Sequence, residues 1–186
     1  MKEFSKSLRL TIILILFFGV GYPLVIWSIG RLMPTAADGL PISKNGRVVG
    51  YENIGMKFTN DNYFWGRPSA VDYNAASTGG SNQGPTNPAH LDLVKSRIDS
   101  FLVHNPGVKA SDIPSDLVTA SGGGLDPHIS PISAMIQSAR IAKARNIDEA
   151  KIKELITSHI EKPYLGFFGT ERVNVLKLNL ALDELK

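Results

Sequence analysis

Two short stretches hold the residue types from which a binding or catalytic site could be built. Ser77-Thr78-Gly79-Gly80-Ser81-Asn82-Gln83 gathers glycines, hydroxyls and amides into seven positions, so its backbone N–H groups can form a concave anion nest. The same composition suits a loop that needs glycine for positive φ and amides to satisfy its own backbone. Ser121-Gly122-Gly123-Gly124-Leu125-Asp126-Pro127-His128 carries Asp126 and His128 two residues apart. They read either as an acid–base or ligand pair, or as residues that hydrogen-bond the turn and cap a helix beginning at Ser130. Arg140, Lys143 and Arg145 form the basic end of that helix, where attraction to the terminal dipole accounts for them without any ligand.

Other catalytic patterns fail on inspection. Gly-x-x-x-x-Gly-Lys-Ser/Thr is missing, so the standard phosphate cradle is not available. Gly79-Gly80-Ser81-Asn82-Gln83 matches a nucleophile elbow for three positions and then has Gln83 in place of the second glycine. His90, His104, His128 and His159 lie too far apart in sequence for a short-spaced ligand set, and cysteine is absent, which rules out thiolate metal sites and disulfides. No metal is expected.

The elements that must position these loops are mostly helical. Asn45-Gly46 is the favoured two-residue turn of a hairpin within residues 42–51. Phe58, Tyr63, Phe64 and Trp65 crowd together, and Tyr63 to Trp65 serve equally well as core or as docking surface. Beyond Gly66-Arg67-Pro68-Ser69 runs a long stretch without helical or strand period, read as a docked loop because disordered tracts lack such aromatics. Asn87-Pro88 opens a helix with Leu91, Val94, Ile98 and Leu102 at helical spacing, closed by Asn105-Pro106-Gly107. Asp112–Thr119 reads as a short helical turn. Ser130-Pro131 starts one helix through Ala142, and Asp148 caps another with Ile152, Leu155, Ile156 and Ile160 on one face. From Val173 to Leu185 alternation competes with helical spacing, and Asn174 as cap favours helix. The expected fold class is α+β, helix-rich.

Upstream of this body, Leu10 to Gly30 contains no acid, lysine or arginine. As a helix it would reach about 31 Å, the thickness of a bilayer's hydrocarbon core. A cleavable signal has a shorter apolar run, although Thr35-Ala36-Ala37 faintly resembles its cleavage site. A buried core helix would show a polar face. The expected organisation is residues 1–9 in the cytoplasm, a single-pass anchor at 10–30, a linker at 31–41 and an extracytoplasmic domain at 42–186. Lys2, Lys6 and Arg9 before the span set this orientation in the cell membrane. Gly19, Gly21 and Pro23 suit close helix packing and a kink. Of twenty Lys/Arg and seventeen acids, residues 1–31 take four and one, leaving sixteen of each sign in the body. A neutral body argues against nucleic acid as partner.

Several long stretches carry a resemblance: Tyr63-Phe-Trp-Gly-Arg-Pro-Ser69, Tyr73-Asn-Ala-Ala-Ser-Thr-Gly-Gly-Ser-Asn82, Gly84-Pro-Thr-Asn-Pro88, Asp116-Leu-Val-Thr-Ala-Ser-Gly122, Gly124-Leu-Asp-Pro-His-Ile-Ser-Pro131, and Val173-Asn-Val-Leu176 with Leu178-Asn-Leu-Ala-Leu-Asp183. With one N-terminal span, they resemble the KdpC family across the whole chain. These are small subunits of the Kdp potassium-transporting P-type ATPase of bacteria and archaea. Gly123 stands where the family typically has serine, and Asn146 where it usually has glycine.

The resemblance implies a non-catalytic subunit of an ATP-driven, high-affinity potassium uptake complex, with two larger partners. One is channel-like and binds potassium, and the other hydrolyses ATP through a phosphorylated aspartate. It also implies a catalytic-chaperone role, raising the ATP affinity of the hydrolysing subunit through a shared nucleotide. By likeness to the signature loop of ABC ATPases, Ser77, Gly79, Gly80 and Gln83 are the implied nucleotide contacts. The flanking charges pull the other way, because they place this loop outside while ATP lies inside. A structural subunit without nucleotide contact is the alternative. An anchored exported hydrolase using Ser81 or His128 is a third reading.

Overall fold

The computed structural model describes residues 2–33, 35 and 38–185, and it divides into two compact units at Leu40/Pro41. Pro34, Ala36 and Ala37, part of the expected linker and of the faint cleavage site, lie outside the described residues.

The first unit is a helical rod: α1 (Lys2–Leu16), a π-helical turn (Phe17–Gly21) and α2 (Tyr22–Arg31). At thirty residues it is the one helix among those described that is long and apolar enough to cross a membrane. The expected irregularity at Pro23 takes the form of the π turn just before it. Proline cannot donate, and its ring crowds the carbonyl four residues back. The backbone widens by one residue ahead of it, so that the Tyr22 N–H reaches the Phe17 carbonyl.

The second unit opens with the hairpin β1 (Pro41–Lys44) and β2 (Arg47–Tyr51). Asn45 and Gly46 both have positive φ, 54° and 75°, as a two-residue turn matching strand twist requires. Residues 52–87 contain neither helix nor strand. The helix α3 (Pro88–His104) follows, capped as expected by the Asn87 side chain, which accepts from the Ala89 N–H at 3.0 Å. Its apolar stripe is partly idle: Val94, Ile98 and Leu102 are half-buried, while Leu91 is exposed. Of two 3₁₀ turns, Ser115–Leu117 falls within the expected short helical stretch, and Ala110–Asp112 ends where that stretch begins.

Next come β3 (His128–Ile129), α4 (Pro131–Met135), α5 (Ser138–Arg145), α6 (Glu149–Ser158), β4 (Ile160–Glu161), β5 (Arg172–Asn174) and α7 (Val175–Glu184). The single helix expected from Ser130 is two. Gln137 sends its side-chain amide to the Ser133 carbonyl at 3.0 Å, while its backbone N–H turns to Ala134 instead. That exchange tightens the turn and redirects α5. The Asp148 cap on α6 and the Asn174 cap on α7 stand as expected. The ambiguous tail resolves into both forms, three residues of strand and then helix. Asn146, at φ 55°, closes α5 in the left-handed conformation that glycine usually supplies.

β5 lies between β3 and β4, antiparallel to both. Helices α4 to α7 pack around this small sheet over a core of Phe64, Ile129, Ile141, Ile152, Ile156, Val173, Leu178 and Leu182.

Candidate functional site

The structure brings the two chemistry-bearing loops together. Gly79 donates its N–H to the Gly123 carbonyl at 3.1 Å. Gly80 lies so close to Gly122 that a Cβ would sit 2.9 Å from its carbonyl oxygen. A Cβ on Gly124, whose φ is +69°, would meet Val71 at 2.7 Å and the Gly79 carbonyl at 2.9 Å. Glycine is thus required on both sides of the seam. Ser69 locks it from below: its hydroxyl donates to the Gly124 carbonyl at 2.6 Å and accepts from the N–H groups of Val71 and Tyr73. Tyr73 returns its phenolic O–H to the Arg67 carbonyl, and burial, with the charge of Asp72, pushes that phenol above its ordinary value.

Of the nucleotide contacts implied by resemblance, Gly79 and Gly80 are half-buried in the seam, while Ser77 and Gln83 are exposed. Two N–H groups of the expected anion nest are therefore engaged inside the protein, that of Gly79 by Gly123 and that of Ser77 by the Asn74 carbonyl at 3.1 Å. The loop's hydroxyls and amides face outward, and neither cavity described below nor the seam encloses them.

Asp126 and His128 form a turn rather than a helix cap. Asp126 Oδ1 accepts the His128 N–H at 3.0 Å, and Ser130 caps α4 through its own hydroxyl. The cap itself is fastened by Asp116, which accepts from the Ser130 N–H and the Ser133 hydroxyl, both at 2.7 Å. Burial would raise the Asp126 carboxyl, but hydrogen bonds from His128 and Arg67, with the Arg67 charge, outweigh it and hold it at about 2. The His128 ring lies between Asp126 (3.4 Å) and Glu161 (3.6 Å), and Glu161 in turn meets Arg172 at 3.0 Å. Asp126, His128, Glu161 and Arg172 thus form a continuous chain of polar contacts. Ser121 Oγ, His90 Nδ1 and Arg67 Nε are buried without a partner among the described residues. No group of three or more His, Asp or Glu among those residues gathers closely enough to hold a metal ion.

A further polar cluster was not evident in the sequence. Residues 61–65 run across the helices with no strand beside them, and every carbonyl in the segment is met by a side chain. Arg140 donates to the carbonyls of Asp61 (2.7 Å) and Tyr63 (3.0 Å), and Arg145 to that of Asn62 (2.7 Å). Asn179 brackets Phe64, accepting its N–H at 2.8 Å and donating to its carbonyl at 3.0 Å. Gln137 does the same for Trp65, at 2.8 and 3.2 Å. Arg145 lies with Lys143 in the last turn of α5, as the spacing suggested, but Arg140 and Arg145 do more than meet the helix dipole. They hold a distant segment, with Arg140 stacked 4.5 Å over Trp65 and Arg145 4.8 Å over Tyr63. Burial lowers the Arg140 guanidinium to about 10. Phe64 is core, fully enclosed, and Trp65 is half-buried.

Beside Arg140 a cavity of about 880 Å³ opens between α3, α5 and α6, lined by the half-buried Val108, Met135 and Ile136, the exposed Val103, and Lys143 and Glu149.

These features define a small α+β protein that carries one membrane-length helix and a body knit together by its own polar side chains. A family profile described as KdpC, K+-transporting ATPase, c chain, matches residues 4–184. A potassium-transporting ATPase KdpC subunit of Flavobacterium johnsoniae is 55% identical over 186 residues, covering all of both chains. One of Bacteroides fragilis is 48% identical over 189 residues, covering this whole chain and 99% of the relative. Another, from Caldanaerobacter subterraneus subsp. tengcongensis, is 46% identical over 187 residues, with 100% and 97% covered. The chain belongs to the KdpC family, subunits of the K+-transporting ATPase.

Proposed function

We propose that this chain is a non-catalytic assembly subunit of the ATP-driven potassium uptake complex. Its helix anchors it in the cell membrane with the N-terminus in the cytoplasm. Its body stands outside, holding the channel-like potassium-binding subunit and the ATP-hydrolysing subunit in register. Full-length kinship to KdpC subunits supports the complex. The observation that carries the structural role is the internal engagement of the body's polar groups. Asp116, Asp126, Gln137, Arg140 and Asn179 all bond other parts of the same domain. A site for chemistry instead needs a nucleophile or acid–base group left free to meet substrate.

The test is co-expression with the larger subunits and purification through a tag on this chain. The intact chain should retain both partners, and removal of residues 10–30 should free the body without them. Purification of the intact chain alone from the same membranes would overturn the assembly role. External protease on sealed cells should cut the body, and protection would reverse the orientation.

The exposed side chains of Ser77 and Gln83 favour a second reading, in which the Ser77–Gln83 loop supplies half of a nucleotide site completed by the hydrolysing subunit. Under that reading ATP affinity of the complex falls on Gln83→Ala. Under the assembly reading it does not change.

A further inference from the structure

Between β4 and β5 the chain forms a finger. Tyr164 and Phe168 exchange both backbone hydrogen bonds at 2.9 Å, and Gly166 N–H closes onto the Pro163 carbonyl at 3.0 Å. The turn takes positive φ at Leu165 (54°), Gly166 (83°) and Gly169 (95°). A leucine in that region is uncommon, since its side chain crowds its own backbone there. The result is display: Tyr164 is 73% exposed, Leu165 67%, Phe167 69% and Phe168 58%. The rings of Phe167 and Phe168 lie 4.2 Å apart. Exposed apolar side chains scattered singly are ordinary, but four within five positions of a hydrogen-bonded turn mark an interaction surface.

The charges at its base decide between occupants. A finger made to enter lipid headgroups carries surplus lysine and arginine. Here Lys162 and Arg172 are balanced by Glu161 and Glu171, and Arg172 is already held by Glu161 at 3.0 Å. An aromatic centre with a charge-balanced rim is the make-up of a protein–protein anchor. We infer that the Tyr164–Phe168 finger inserts into an uncharged, apolar cleft on a larger subunit of the transport complex. This rests on the assembly reading.

The test uses the full chain co-expressed with the larger subunits. A benzophenone amino acid in place of Phe167 should crosslink to one larger subunit on irradiation. Leu165→Asp combined with Phe167→Asp should lower recovery of the larger subunits about tenfold. Aspartate accepts the left-handed backbone at position 165, so the purified full chain in detergent should melt within about 2 °C of the original. Adducts with lipid alone, or no adduct with undiminished recovery, would overturn the inference. If the unaltered chain itself fails to retain the larger subunits, it is the assembly reading that falls.

Discussion

Two carboxamides do for Phe64 and Trp65 what neighbouring strands do in a sheet. Each presents one acceptor and one donor at the spacing of a backbone pair, so buried N–H and C=O groups are satisfied without a ladder. Asn179→Leu keeps the volume and removes both bonds, leaving two buried backbone groups of Phe64 unpaired. It should cost about 3 kcal/mol of stability by chemical denaturation. The Asp126 carboxyl sets an acid limit. Held at about 2 when folded, against an ordinary 3.8, it contributes stability that is complete above about pH 4 and lost as pH falls through 2. Unfolded chains bind the extra proton across that window, so stability rises with pH there. Asp126→Asn should lower stability at pH 7 by about 2 kcal/mol and flatten the slope between pH 4 and 2, which urea titrations at stepped pH will measure.

Among the elements, the local signals in the sequence proved readable and the distant ones did not. Asn45-Gly46, Asn87-Pro88, Asp148 and Asn174 each make their turn or cap within three residues of themselves, and each stands where its residue type implies. The partners of Phe64 and Trp65 lie 115 and 72 residues away, and nothing near Asn179, Gln137 or Arg140 announces them. The division of α4 from α5 has the same origin, since Gln137 is drawn out of the helical pattern by Trp65. Both candidate loops could be seen from their glycines, but not that they meet. Their seam gives a paired prediction. Gly124→Ala meets backbone and Val71 at under 3 Å with an unfavourable φ, and should cost about 2 kcal/mol while exposing residues 74–83 to hydrogen exchange. Gly123→Ser meets nothing within 4 Å, and its stability should stay within about 0.5 kcal/mol of the original.

Taken whole, the body has an early segment held by elements that come much later in the chain. Residues 61–65 are fastened by α5 and α7, and Leu178 and Leu182 of α7 fill the core against them. Removing residues 175–186 takes away Asn179 and that packing together. The shortened chain should show no cooperative melting and no fixed near-ultraviolet dichroism, where a body with a dispensable terminal helix would keep both. Synthesis runs from the amino end, so Phe64 and Trp65 emerge well before Gln137 and Asn179, which satisfy their backbones. The body therefore leaves synthesis open and closes over Phe64 only once α7 has followed. Polypeptides broken off before α7 leave the body open to proteases, and the fold itself screens out such fragments before they can join a transporter.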